Sequence, residues 1–198
     1  MRSSLKPPLK EKKLVAIPAD LLTRLMEVAN RQGKPFQALL SQLISSGLRV
    51  LESGRSLEEV VDFYELLDMQ RSSGAALIPV DLCSYMITKL YATERDDMVK
   101  AWREAGSWYG KYLSSKFPAR DAPEVLGKLL AATRGDLREV QVVREGSRVK
   151  FRCIAPHLPE DSTNLLANFV EGAMASSSNK MVSSEILKGM ILQEFETV

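Results

Sequence analysis

The sequence predicts an α+β protein. A short strand and two helices form an N-terminal dimerisation unit, and a helix-rich α+β domain with a four-stranded antiparallel sheet follows. Three observations predict this. Apolar residues recur at three-four spacing in successive segments up to about Arg134. The period then shortens to two in "REVQVVREGSRVKFRCIAP" and again in "KMVSSEILKGMILQEFETV", each run split by a glycine turn. Finally, the apolar stretch after Lys12 reads as a strand, yet no partner strand lies near it in sequence.

Residues 1–11 read as a flexible basic arm with Pro7-Pro8 and no periodicity. Lys12 to Ile17 form one short strand, which Pro18 ends while suiting the start of a helix. The first helix spans about Ala19 to Gln32, with Leu21, Leu22, Leu25, Met26, Val28 and Ala29 on its apolar face, and Gly33 stops it as a left-handed cap. Pro35 opens the second helix, whose broad apolar face includes Phe36, Leu39, Leu40, Leu43, Ile44, Leu48 and Leu51. A linker around Gly54 closes this unit, placing the domain boundary between residues 54 and 55.

Ser56 and Glu59 form a capping box for a helix over about Leu57 to Arg71. "SSGAAL" breaks it, Ala75 to Pro79 read as a short extended piece, and Asp81 caps a helix reaching about Tyr91. A long helix from about Glu94 to Lys116 turns Met98, Trp102, Ala105, Tyr109 and Tyr112 or Leu113 inward. Pro123 starts a helix over Glu124 to Arg134. In the first hairpin, which turns at Glu145-Gly146, Val149, Phe151 and Cys153 share one face, and Arg148, Lys150 and Arg152 share the other. A helix from Asp161 to about Ser176, capped by Asp161 or Ser162, precedes a closing hairpin about Lys188-Gly189.

The 198 residues are 45% hydrophobic, enough for a core, and no apolar run is long enough to cross a bilayer. The polar, basic opening does not read as a signal peptide, so a soluble cytoplasmic protein is expected. Cys83 and Cys153 lie 70 residues apart outside any CxxC pair and read as reduced, largely buried thiols. The single histidine, His157, sits in a proline-rich turn with no cluster of metal ligands about it, so neither metal nor cofactor is expected. The net charge of +2 conceals an asymmetry: residues 1–55 hold ten basic residues and four acidic ones, whereas the remainder is acidic by four. A basic first quarter fits an anionic partner, nucleic acid above all, although a solvated face would carry the same charges.

A lone strand leaves both backbone edges unpaired. An identical strand from a second copy would complete a two-stranded antiparallel ribbon across a two-fold axis, and the helices of both chains would intertwine into a four-helix core. The strand, Pro18, "LLTRLMEVANRQGK" with Gly33 at the tight turn, and "FQALLSQLI" resemble the ribbon-helix-helix fold of Arc- and MetJ-type repressors over residues 12–51. The resemblance implies a homodimer whose ribbon enters the major groove of double-stranded DNA. It also implies that the start of the second helix, near Lys34 and Phe36, presents N–H groups to a phosphate. Alternation sends Val15 and Ile17 inward and Lys12, Leu14 and Ala16 toward DNA. Leu14 and Ala16 can touch thymine methyl groups but cannot read guanine. Affinity is therefore expected to come mostly from phosphates, through Lys10, Lys12, Lys13, Lys34 and Arg31, and to fall steeply with salt. The alternative is a ribbon that only dimerises the protein.

In residues 55–198, "AWREAGSWYGKYL", with Gly106 and Gly110 four apart, and the closing "SSEILKGMILQEFE" resemble the 4-vinyl reductase-like domain, related to the small subunits of the TRAPP tethering complex. The resemblance implies a dimerising sensor for small, often aromatic or apolar ligands, fused to a DNA-binding module. The last hairpin lacks the cysteines common in that family, which argues against a metal there. Trp102, Trp108, Tyr109, Phe151, Phe169 and Met174 are the candidate pocket walls, each equally able to serve as plain core. The strip Arg148, Lys150, Arg152 could hold an anion or extend a DNA surface, or could form a solvated strand face.

Three function classes follow: a dimeric DNA-binding regulator, a non-catalytic tethering homodimer that docks protein partners, and an enzyme. No GxGxxG, Walker loop or nucleophile elbow supports the third, and carboxylate pairs such as Glu58-Glu59 and Asp96-Asp97 sit at helix starts, where they favour the dipole.

Overall fold

In the computed structural model, which describes residues 14–76 and 78–198, the three-four patterns become seven α-helices and the alternating patterns become four β-strands. The chain divides into two compact units, Met1–Val60 and Val61–Val198.

In the first unit, helix α1 (Ala19–Arg31) and helix α2 (Phe36–Glu52) begin on Pro18 and Pro35. Gly33 adopts φ +62°, and the Lys34 N–H donates back to the Ala29 carbonyl at 3.0 Å. This is the left-handed exit that only glycine adopts without strain. The capping box forms as read at the start of α3 (Leu57–Ser72): Glu59 N–H donates to Ser56 Oγ at 3.0 Å, and Ser56 N–H donates to Glu59 Oε2 at 2.9 Å.

The expected first strand is not formed within the single chain. Leu14–Ile17 belong to no strand, and Lys12 and Lys13 lie outside the described residues. Val15, expected to face inward, is exposed together with Leu14 and Ala16, and only Ile17 is partly covered. A strand needs an edge to bond to, and among the described residues none pairs with this segment.

The second unit holds α4 (Val80–Tyr91), α5 (Arg95–Lys116), α6 (Ala122–Thr133), strands β1 (Glu139–Glu145) and β2 (Arg148–Ile154), α7 (Glu160–Ser176), and strands β3 (Asn179–Leu187) and β4 (Met190–Thr197). Two caps differ from expectation. Pro79, not Asp81, stands before α4, and Pro159, not Asp161 or Ser162, stands before α7. Each proline carbonyl accepts the first helical N–H bond, from Cys83 and from Thr163. The fixed proline φ therefore nucleates the turn one or two residues ahead of the acidic side chain. Ala75, Ala76, Ile78 and Pro79 belong to no strand, and Leu77 lies outside the described residues.

The sheet is antiparallel in the order β1-β2-β4-β3, so the two sequence hairpins join through their second strands. Phe151 pairs with Gln193, and Cys153 with Ile191, on the inner face that α6 and α7 cover. Phe151, Phe195, Met69, Leu113, Leu126, Leu165 and Met174 are among the fully buried side chains, each contributing roughly 1.5–3 kcal/mol of transfer free energy. The outer face carries Arg148, Lys150 and Arg152, as alternation predicts.

Helix α5 lies against the far side of α7 in the most extensive helix contact of the unit. Its buried line is Gly106, Gly110 and Leu113, while Ala105, expected inward, is exposed. A Cβ on Gly106 would overlap the Phe169 carbonyl, and one on Gly110 the Ala173 carbonyl. On the facing helix, a Cβ on Gly172 would overlap the Arg103 carbonyl. The two backbones thus touch along a three-glycine seam.

Candidate functional site

The seam sets where the large side chains of α5 go. Holding Gly106 and Gly110 against α7 rotates Trp102, Ala105 and Tyr109 to one flank, toward α6. There they enclose a cavity of about 300 Å³ with Leu129, Leu130, Leu166 and Phe169. A second cavity, of about 210 Å³, is walled by Ile78, Val80, Cys83 and Ile87 from the α4 segment, with Leu158 and Ser162 opposite. Gln70, Trp102, Thr133 and Arg134 belong to the walls of both.

Gln70, Thr133 and Arg134 make this shared wall polar, and Asp136, Ser162 and Ser84 add polar groups to the smaller cavity. Arg134 Nε donates to Asp136 Oδ1 at 2.8 Å and Nη2 donates to Oδ2 at 2.6 Å, a bidentate pair at the exit of α6. The hydrogen bonds from Arg134 hold the Asp136 carboxyl below the usual carboxylate range, outweighing its burial. The same contact raises the Arg134 guanidinium. Thr133 Oγ1 donates to the Leu129 carbonyl at 2.7 Å. Ser162, 5% exposed, has an Oγ without a hydrogen-bond partner among the described residues. Cys153 is buried beneath the sheet face, and burial pushes its thiol up to about 12, so it stays protonated.

Three of the expected wall residues therefore meet at one site. Trp102 touches both cavities, and Tyr109 and Phe169 line the larger one, their rings edge to face at 5.5 Å. The Tyr109 hydroxyl is fixed by Ser73 Oγ at 2.8 Å. The other three are corrections. Phe151 and Met174 are 1% exposed and fill the core between sheet and α7. Trp108 is 48% exposed and stacks on Tyr112 at 5.2 Å, because one residue along a helix turns it away from the Tyr109 flank. Sequence reasoning missed Gln70, Thr133, Arg134, Asp136 and Ser162. The opposite charges bracketing a glycine in "TRGD" were the available signal, but such charges usually read as solvated.

The strip on the outer sheet face is neutralised by its neighbours. Arg148 pairs with Glu194 at 3.1 Å, Lys150 with Glu145 at 2.7 Å, and Arg152 with Glu139 at 3.5 Å. Three cations each beside a carboxylate make a poor anion site, so this face is the solvated alternative.

In the N-terminal unit, Lys34 is exposed and sits one residue before Pro35, its Nζ 3.4 Å from Gln42 Oε1. Ala38 and Leu39 N–H groups both donate to the Pro35 carbonyl, and the N–H groups of Phe36 and Gln37 have no partner among the described residues. The Phe36 side chain is half-buried. Leu14 and Ala16 are exposed, while Lys10, Lys12 and Lys13 lie outside the described residues. Beside these groups, α1 and α2 bury only Ala29, Leu39 and Gly47 and leave Leu21, Met26, Leu43, Ile44, Leu48 and Leu51 about half exposed.

Among the described residues, no helix is long and apolar enough to cross a membrane, and no group of three or more His, Cys, Asp or Glu could hold a metal ion. No family model and no curated protein matches this chain.

Proposed function

We propose that this protein is a dimeric DNA-binding transcriptional regulator whose C-terminal unit binds a small apolar ligand. The observation that carries the reading is the unpartnered apolar face of α1 and α2. Two helices that bury only three residues, one of them a glycine, do not make a self-sufficient core. A second copy, related by a two-fold axis, would cover Leu43, Ile44, Leu48 and Leu51 and offer Leu14–Ile17 the strand edge they lack. The same association would bring together two α2 N-termini, whose N–H groups favour a phosphate.

A gel shift against genomic DNA fragments at low salt tests this reading. The expected result is a shift that weakens steeply as salt rises and is lost on Lys12→Ala with Lys34→Ala. No shift for the wild-type chain, or one indifferent to both substitutions, removes the regulator reading.

One observation favours a second reading, a tethering homodimer that docks proteins: Leu14, at an outward ribbon position, is a fully exposed apolar side chain rather than a base-reading one. Capture of specific proteins by the wild-type chain in nuclease-treated lysate, together with a failed gel shift, would select it.

A further inference from the structure

We infer that the smaller cavity selects a neutral, mainly apolar ligand carrying one hydrogen-bond-accepting oxygen, and rejects a carboxylate of the same shape. The inference rests on the ligand-binding part of the proposed function and specifies the chemistry of that site.

An arginine in an apolar cavity ordinarily invites a carboxylate. Here that place is taken. Asp136 occupies Nε and Nη2 of Arg134 in a bidentate pair, and the carboxylate side chain is only 12% exposed. Those bonds lower the Asp136 carboxyl, so the pair presents a dipole rather than a net positive charge. A second carboxylate would lose its hydration and meet Asp136 as a like charge. A ketone, ester or hydroxyl oxygen suffers neither penalty. It can accept from the Arg134 N–H groups that Asp136 leaves free, and a hydroxyl can also meet Ser162.

Ser162 supplies the independent observation. Its Oγ is buried and has no hydrogen-bond partner among the described residues, and Ser162 belongs to the same cavity wall. A buried hydroxyl without a partner costs free energy that a polar ligand atom would recover. Ile78, Val80, Ile87 and Leu158 offer apolar contact, and Gln70, Ser84 and Thr133 are the other polar side chains of the wall. A volume of about 210 Å³ suits a molecule of roughly ten non-hydrogen atoms at interior packing density.

The test uses the full chain and two isosteres, nonan-2-one and octanoate, which differ by a methyl group in place of a charged oxygen. Binding is followed by isothermal titration calorimetry and, in parallel, by protection of Cys83 from a thiol reagent, since Cys83 lines this cavity. The expected result is binding of the ketone at least about tenfold tighter than octanoate, with the ketone protecting Cys83. Asp136→Asn should narrow or reverse the preference by freeing the arginine charge. Ser162→Ala, which removes no internal hydrogen bond of the hydroxyl, should weaken ketone binding a few-fold without lowering the unfolding midpoint. Equal affinity of the wild type for both molecules, or a ratio unmoved in a folded Asp136→Asn variant, overturns the inference while leaving a ligand site. Absence of binding and of Cys83 protection with both molecules overturns the inference and the ligand-binding reading together. The gel shift remains a separate test of the DNA reading.

Discussion

Gly106→Ala offers the sharpest test of the seam between α5 and α7. On an isolated helix the substitution would stabilise by about 1 kcal/mol, because alanine has the higher helix propensity. In this protein the new Cβ overlaps the backbone carbonyl of Phe169. A side chain could rotate away, but a carbonyl fixed in the next helix cannot, so the helices must part along the whole glycine line. Overpacking of this kind costs about 1–3 kcal/mol, and rigid backbone on both sides puts it at the upper end. The net expectation is a loss of about 2 kcal/mol, which for a chain of this size lowers Tm by about 4–8 °C. Trp102 and Trp108, the only tryptophans, both lie on α5, so their fluorescence during urea unfolding reports on this unit. The urea midpoint should fall by about 1 M. Gly135→Ala is the control: a Cβ there meets nothing within 4 Å, and its midpoint should match or slightly exceed the wild type. A Gly106→Ala protein as stable as the wild type would refute the close approach.

Three further outcomes are expected. Leu48→Glu with Leu43→Glu, on the exposed α2 face, should convert a dimer to a monomer in sedimentation while leaving the near-ultraviolet spectrum of the C-terminal unit unchanged. The Asp136 carboxyl titrates lower in the folded chain than in the unfolded one, so its stabilisation is complete above the unfolded carboxylate value near pH 4 and disappears as pH falls through the folded one. The stability gap between wild type and Asp136→Asn, read from urea midpoints, should therefore be largest near neutrality and close in acid. A thiol reagent under native conditions should modify Cys83 and spare Cys153, whose thiol is buried and raised to about 12, until the protein unfolds.

Local signals in the sequence carried most of the secondary structure. Periodicity placed all seven helices and both hairpins, and alternation assigned Val149, Phe151 and Cys153 to the inner sheet face. Ser56 with Glu59, and Gly33 at positive φ, act within a few residues of themselves, which is why they were legible. The caps of α4 and α7 were misplaced because proline and acidic residues compete for the same turn, and the proline carbonyl prevails.

The site was only half legible, for a different reason. That Trp102, Tyr109 and Phe169 are large and apolar is a property of the sequence; that they share a wall, while Phe151 and Met174 do not, depends on how α5 is rotated over α7. Gly172 fixes that rotation from 62 residues beyond Gly110, a distance over which no periodicity speaks. The order β1-β2-β4-β3, the pairing of Arg134 with Asp136 beside a cavity, and the unpaired hydroxyl of Ser162 likewise arise when distant segments pack. Hydrogen-bond geometry along the chain writes itself into neighbouring residues, whereas close packing across it exists only once the backbones meet.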